Sequence, residues 1–122
     1  MTKSAGSKPV LFMTWDYVNR NANQARIERS YTDLGAAHNV PVAVPGIAFK
    51  IYRDKYPSSS IHSDQIHPNN LGTYLAACTF YSFFSGKSPV GLSYTFGLNA
   101  TDARRAQEVA WEATQQYGQF YR

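Results

Sequence analysis

The fold of this chain is decided by two short apolar runs, VLFMT at residues 10–14 and VPVAV at residues 40–44. Each run is too short for a helix and lacks the alternation of a half-exposed strand, so each predicts a strand covered on both faces. Pro41 has no N–H to donate, and the second strand should therefore begin at this residue or lie at a sheet edge. Pro45 and Gly46 follow the second run and are expected to stop it.

The residues between the two runs have the spacing of a helix. Ile27, Tyr31 and Leu34 lie three or four positions apart, and His38 with Asn39 closes the pattern. The order strand, helix, strand predicts a βαβ unit with parallel strands and a right-handed crossover.

Further helical segments follow the second strand. Residues 47–56 are expected to form one or two helical turns, and residues 70–84 a buried helix that Gly86 ends. A last helix should begin with Thr101 as its N-cap and Asp102 in its first turn. The expected fold class is therefore α/β, with about two parallel strands and three to four helices.

Composition indicates one folded domain. The chain has 122 residues, of which 43% are hydrophobic and 16% charged, and these proportions exclude a disordered chain of low hydrophobicity and high charge. We expect a polar lead-in at residues 1–9 and a single domain at residues 10–122. No apolar run is long enough to cross a bilayer, and residues 1–8 contain no hydrophobic signal core. No membrane contact is therefore expected, and the default location is cytoplasmic.

The positive charge is modest, with twelve basic residues against eight acidic ones. The densest basic group, Lys50, Arg53 and Lys55, alternates with aromatic residues, as in some nucleic-acid or carbohydrate surfaces. No recognisable nucleic-acid-binding module surrounds it, so we interpret the group as a solvated face and expect no nucleic-acid partner. Cys78 is the only cysteine, which excludes an internal disulfide and a cysteine zinc site.

The segment DQIHP at residues 64–68 carries the strongest chemical signal. A carboxylate three residues before an imidazole, in a turn, can accept the Nδ1 proton and leave Nε2 free to take a proton. Asp64 and His67 are therefore predicted to be an orienting acid and a general base. A metal site of His62, Asp64 and His67 is an alternative reading. Otherwise His62 is interpreted as a surface loop residue, and His38 as a partner of a helix dipole.

Residues 64–78, DQIHPNNLGTYLAAC, closely resemble the last conserved block of the SGNH (GDSL-type) hydrolases. In that block Asp-x-x-His-Pro is followed by Gly, Tyr-Leu and small residues. The segment at residues 8–15 resembles the penultimate strand of the family, residues 42–49 its following strand and turn, and residues 88–92 its bacterial tail. The resemblance covers residues 8–115.

This resemblance implies a flavodoxin-like, three-layer α/β fold and a Ser-His-Asp ester hydrolase that acts on small acyl esters without a cofactor or metal. It implies that His67 is the general base and that Asp64 orients it. Ligands of open α/β sheets bind beyond the carboxyl ends of the strands. The candidates for a substrate wall at that edge are Trp15, Tyr17, Pro45 and Gly46.

The departures from the family pattern are large. The Gly-Asp-Ser nucleophile block and the Gly-x-Asn-Asp oxyanion block are absent, and residues 97–100 only mimic the latter. The chain thus resembles the C-terminal half of such an enzyme, and we expect no esterase activity from it alone. Its open sheet edge should pair with a missing N-terminal half or with a second copy. The alternative is an inactive remnant that serves as an oligomeric or binding module, with Asp64 and His67 left as a structural turn.

Overall fold

The computed structural model describes residues 6–17, 23–117 and 119–121 of the chain. The order of its elements confirms a mixed α/β fold with two parallel strands and four helices. The predicted division into a lead-in and a domain stays a prediction. In chain order the elements are β1 (Leu11–Phe12), α1 (Gln24–His38), β2 (Val42–Ala43), α2 (Pro45–Lys55), α3 (Asn70–Ser85) and α4 (Ala100–Tyr117).

The two strands pair in parallel, as the apolar runs predict. Leu11 lies opposite Val42 in the register, and the Leu11 N–H donates to the Pro41 carbonyl over 3.0 Å. The Met13 N–H donates to the Ala43 carbonyl over the same distance. Pro41 directly precedes β2, where its missing N–H removes no hydrogen bond between the strands.

The second strand ends before Pro45 and Gly46, as expected. These two residues begin a helix of 11 residues, which corrects the expectation of only one or two helical turns. Proline suits the first helical turn because its missing N–H would have no partner inside the helix. The Gly46 N–H donates to the Met13 carbonyl over 3.0 Å, and a methyl group on Gly46 would overlap the Thr14 carbonyl oxygen. The helix therefore begins pressed against the end of β1.

The ends of the last two helices depend on asparagine and glycine. Asn69 caps α3 by accepting the Gly72 N–H over 2.9 Å, and Gly86 ends the helix with a φ of 72°. Thr101 is not the N-cap of α4, which corrects that expectation. Asn99 takes this position, because its side chain accepts the Asp102 N–H over 2.8 Å.

The core lies between the sheet and the helices α2, α3 and α4. The small-residue stripe of α4 is buried and allows close helix packing; it consists of Ala103, Ala106, Ala110 and Ala113. Cys78 is buried in the same core, as an apolar helix position predicts. Within the described residues, no helix is both long and apolar enough to span a membrane.

The two edges of the sheet differ. The outward N–H of Val42 in β2 donates to the side-chain oxygen of Gln119 over 2.7 Å, so this edge is covered by the chain itself. Leu11 and Met13 both direct their N–H groups toward β2, and the intervening Phe12 therefore directs its N–H and carbonyl outward. No described residue hydrogen-bonds the outward backbone groups of Phe12. The β1 edge is open in the described part of the chain.

Candidate acid–base site

Asp64 and His67 are brought together by a short turn. The Oδ1 atom of Asp64 accepts the N–H of Ile66 over 2.8 Å and the N–H of His67 over 2.7 Å. This is the local hydrogen bonding that makes aspartate favourable at the first position of a turn. The remaining oxygen, Oδ2, lies 2.7 Å from His67 Nδ1. The spacing of three residues therefore produces the contact that the sequence predicts.

The electrostatics of this pair set which nitrogen is basic. The backbone N–H groups of Ile66 and His67, followed by the His67 side chain, lower the pKa of Asp64 to about 2. The carboxylate is therefore ionised at neutral pH and accepts the Nδ1 proton, which leaves Nε2 as the proton acceptor of the ring. The His67 side chain is 74% exposed and the Asp64 side chain 55% exposed, so Nε2 is open to a reacting group.

The turn is held against the body of the fold by backbone contacts on both sides. The Ser63 N–H donates to the His67 carbonyl over 2.8 Å, and the Asn69 N–H donates to the Ile61 carbonyl over 3.0 Å. The indole N–H of Trp15, three residues beyond the end of β1, donates to the Ile66 carbonyl over 2.7 Å. These contacts place the Asp64–His67 pair beside the carboxyl end of β1.

His62 is buried, and its interpretation as a surface loop residue is wrong. Only 7% of the residue is exposed, and its ring lies edge-on to Phe49 with the centroids 5.6 Å apart. Its Nε2 lies 3.2 Å from Arg53 Nη1 and its Nδ1 lies 3.3 Å from the Ile66 carbonyl. Because a guanidinium only donates, Nε2 accepts and Nδ1 carries the proton. Burial, followed by the Arg53 charge, lowers the pKa of His62 below its ordinary value.

The predicted substrate wall divides into two parts. Tyr17 is exposed, and Trp15 is half-buried with its ring stacked on Phe49 at a centroid distance of 4.1 Å. Both stay predictions as substrate contacts. Pro45 and Gly46 are buried at the start of α2, so they present no surface to a ligand. They act in packing the helix against β1, which corrects their assignment to the wall.

The two alternative ligand sites gain no geometric support. Each ring nitrogen of His62 already has a hydrogen-bond partner, and both oxygens of Asp64 are occupied within the turn. No group of three potential metal ligands occurs among the described residues. In the basic group, Lys50 pairs with Asp54 over 2.8 Å and Lys55 with Glu112 over 2.9 Å. These two lysines form ion pairs on the surface, whereas Arg53 is half-buried against His62, so only part of the basic group is a solvated face.

Comparison with known proteins supports the fold and identifies no family. No family model matches the chain, and no curated protein matches it. The chain is similar in structure to a DUF4886 family protein from Bacteroides uniformis ATCC 8492, with a TM-score of 0.80 and 16% sequence identity. The similarity covers 94% of this chain and 51% of the other, so the chain spans about half the length of that protein. At this identity the likeness shows the fold alone.

These findings overturn the expected membership of the SGNH (GDSL-type) hydrolases. A solved structure that resembles this chain is described as a DUF4886 family protein, and no family model supports the SGNH assignment. The physical reason lies in the motif itself. An aspartate-initiated turn followed by an asparagine-capped helix needs only a few local residues, so a short Asp-x-x-His-Pro segment does not by itself identify a family.

Proposed function

We propose that this chain supplies the general base of an ester hydrolase whose nucleophilic serine belongs to a polypeptide segment outside it. The observation that carries the proposal is the 2.7 Å contact between Asp64 Oδ2 and His67 Nδ1, with the rest of the imidazole exposed. A carboxylate at Nδ1 fixes the tautomer and stabilises the imidazolium that forms when Nε2 takes a proton. The substrate is a small acyl ester, and the reaction needs no cofactor.

The proposed reaction follows from the position of the free nitrogen. The serine hydroxyl oxygen attacks the acyl carbon while His67 Nε2 takes its proton, and the ester C–O bond breaks as Nε2 returns that proton to the leaving alkoxide. Water then hydrolyses the acyl-serine with the same base. Asp64 stays ionised throughout, because its pKa of about 2 is far below that of a working base.

The open edge of β1 is where the remaining part of the sheet would add. Phe12 directs its backbone N–H and carbonyl outward there, and its side chain is 42% exposed. A further parallel strand on this edge would end beside Trp15, because parallel strands have their carboxyl ends at one side. Trp15 contacts the turn of His67, so a serine after that strand would lie near the base. In this proposal the two strands belong to a larger, three-layer sheet of the flavodoxin type.

A second candidate function is a non-catalytic oligomeric or binding module. An exposed aromatic surface favours it, because Phe12 packs edge-on against Phe80 at 4.9 Å while Phe84 is 51% exposed and contacts Tyr121. Clustered exposed aromatic residues mark interaction surfaces more often than scattered ones do. In this case the Asp64–His67 turn is structural only.

The test combines this chain with the polypeptide encoded directly before it and measures p-nitrophenyl acetate hydrolysis. Neither component alone should show turnover above that of its buffer. The mixture should hydrolyse the ester, and His67→Ala should lower kcat by on the order of 10⁶, as loss of a triad histidine does. His38→Ala is the matched control, because it removes an exposed histidine elsewhere. An inactive mixture, or activity that survives His67→Ala, contradicts the proposal.

A further inference from the structure

The Ile66 carbonyl oxygen is the point at which the candidate base is attached to the rest of the fold. It belongs to the residue before His67 and accepts two side-chain donors, the indole N–H of Trp15 over 2.7 Å and the Nδ1–H of His62 over 3.3 Å. The N–H groups of Ile66 and His67 are in turn both accepted by Asp64. The Ile66 carbonyl and the His67 N–H belong to one planar peptide unit, so fixing this carbonyl fixes one of the three hydrogen bonds that hold the Asp64 carboxylate.

The Trp15 donor is held by aromatic packing at the end of β1. Its ring lies 4.1 Å from that of Phe49, with 13° between the planes, and 6.1 Å from that of Phe12. Phe49 is fully buried in α2. The indole is therefore positioned by one residue of β1 and one of α2, and from this position its N–H contacts the turn of Asp64 and His67.

The His62 donor is held by Arg53. The guanidinium can only donate, so it requires an unprotonated Nε2 and places the ring proton on Nδ1, where it faces the Ile66 carbonyl. Burial lowers the pKa of Arg53, and the carboxylates of Asp16 and Asp54 offset this only in part. A guanidinium nevertheless stays charged in proteins, so Arg53 keeps Nε2 of His62 unprotonated, while the Ile66 carbonyl accepts the proton on Nδ1.

We infer that Trp15 and His62 are positioning residues that hold the Asp64–His67 pair in its working geometry through the Ile66 carbonyl, with Arg53 keeping Nε2 of His62 unprotonated. The inference rests on the proposed function for its catalytic meaning. Its test, however, reads the geometry of the pair directly, so a chain without hydrolase activity can still pass or fail it.

The test titrates the Asp64 carboxyl carbon by NMR in the isolated chain and in four variants. Trp15→Phe keeps an aromatic ring and removes the donor, while His62→Leu removes the second donor. Each should raise the Asp64 pKa above about 2, since the backbone hydrogen bonds of Ile66 and His67 are the largest causes of its lowering. His62→Asn, whose amide can replace Nδ1–H, should stay near wild type, as should the control His38→Leu.

Two further measurements separate positioning from general damage to the fold. The Met13 amide donates to β2 and should keep its protection from hydrogen exchange in every variant. Arg53→Met should raise the pKa of His62, because the guanidinium lies on Nε2 and its charge opposes protonation of the ring. If Asp64 titrates as in wild type after both Trp15→Phe and His62→Leu, or if Arg53→Met leaves the titration of His62 unchanged, the inference is wrong. If the titrations shift as expected but the mixture of this chain with the preceding polypeptide hydrolyses no ester, only the proposed function is contradicted.

Discussion

Gly72→Ala should destabilise this protein, although alanine is the better helix former. Gly72 lies in the first turn of α3, where the helix packs against the loop of the candidate base. An added methyl group would overlap the Ile61 carbonyl oxygen and lie 2.9 Å from Pro68 Cβ. Both neighbours are part of the backbone or of a proline ring, so neither can rotate away.

The expected magnitude comes from two opposing effects. Helix propensity favours alanine over glycine by about 1 kcal/mol. Overpacking of a close contact costs about 3 kcal/mol at the upper end of its usual range, which applies here because backbone must move. The net loss is about 2 kcal/mol in the free energy of unfolding. For a domain of 122 residues, this lowers Tm by about 8 °C, given an unfolding entropy of roughly 2 cal/mol/K per residue.

Thermal unfolding followed by circular dichroism measures this change. Thr73→Ala is the matched control, since Thr73 is exposed on the same turn, and its Tm should stay within about 2 °C of wild type. The NMR signals of Asp64 and His67 should also shift in Gly72→Ala, because Ile61 adjoins their turn. A Tm that rises, as propensity alone requires, would refute the close packing of α3 on this loop.

Gln107 donates to Tyr74 Oη over 3.0 Å and to the Leu92 carbonyl over 3.1 Å. Gln107→Leu should therefore lower the free energy of unfolding by about 3 kcal/mol and speed amide hydrogen exchange around residues 88–98. Asp64 should titrate near pH 2 when followed by ¹³C NMR. Because folding lowers the pKa of Asp64, the carboxylate contributes its full stabilisation above about pH 4, and this stabilisation is lost as the pH falls through about 2. Cys78 should react with Ellman's reagent at pH 8 only on unfolding, because burial raises its pKa to about 11; fast reaction in the native state would show that α3 opens.

The candidate site illustrates how far sequence reasoning reaches. The contact between Asp64 and His67 was predictable because both ends of it lie within one turn. The turn alone does not predict the burial of His62, since the same turn could leave that ring in solvent. The side chains that bury it come from α2, where Phe49 and Arg53 are four residues apart and share a helix face. The contact of these two side chains with His62 was not predicted, because residues 47–56 were expected to form only one or two helical turns.

Local sequence was sufficient for the two parallel strands, the main helices and the acid–base turn, because each depends on side-chain spacing or capping within a few residues. The three-dimensional packing alone established that Pro45 and Gly46 are buried, that Trp15 and His62 share one carbonyl, and that one sheet edge is covered while the other is open. Those features join residues up to 77 positions apart, as between Val42 and Gln119. No local pattern specifies such contacts, since they arise from how whole elements pack.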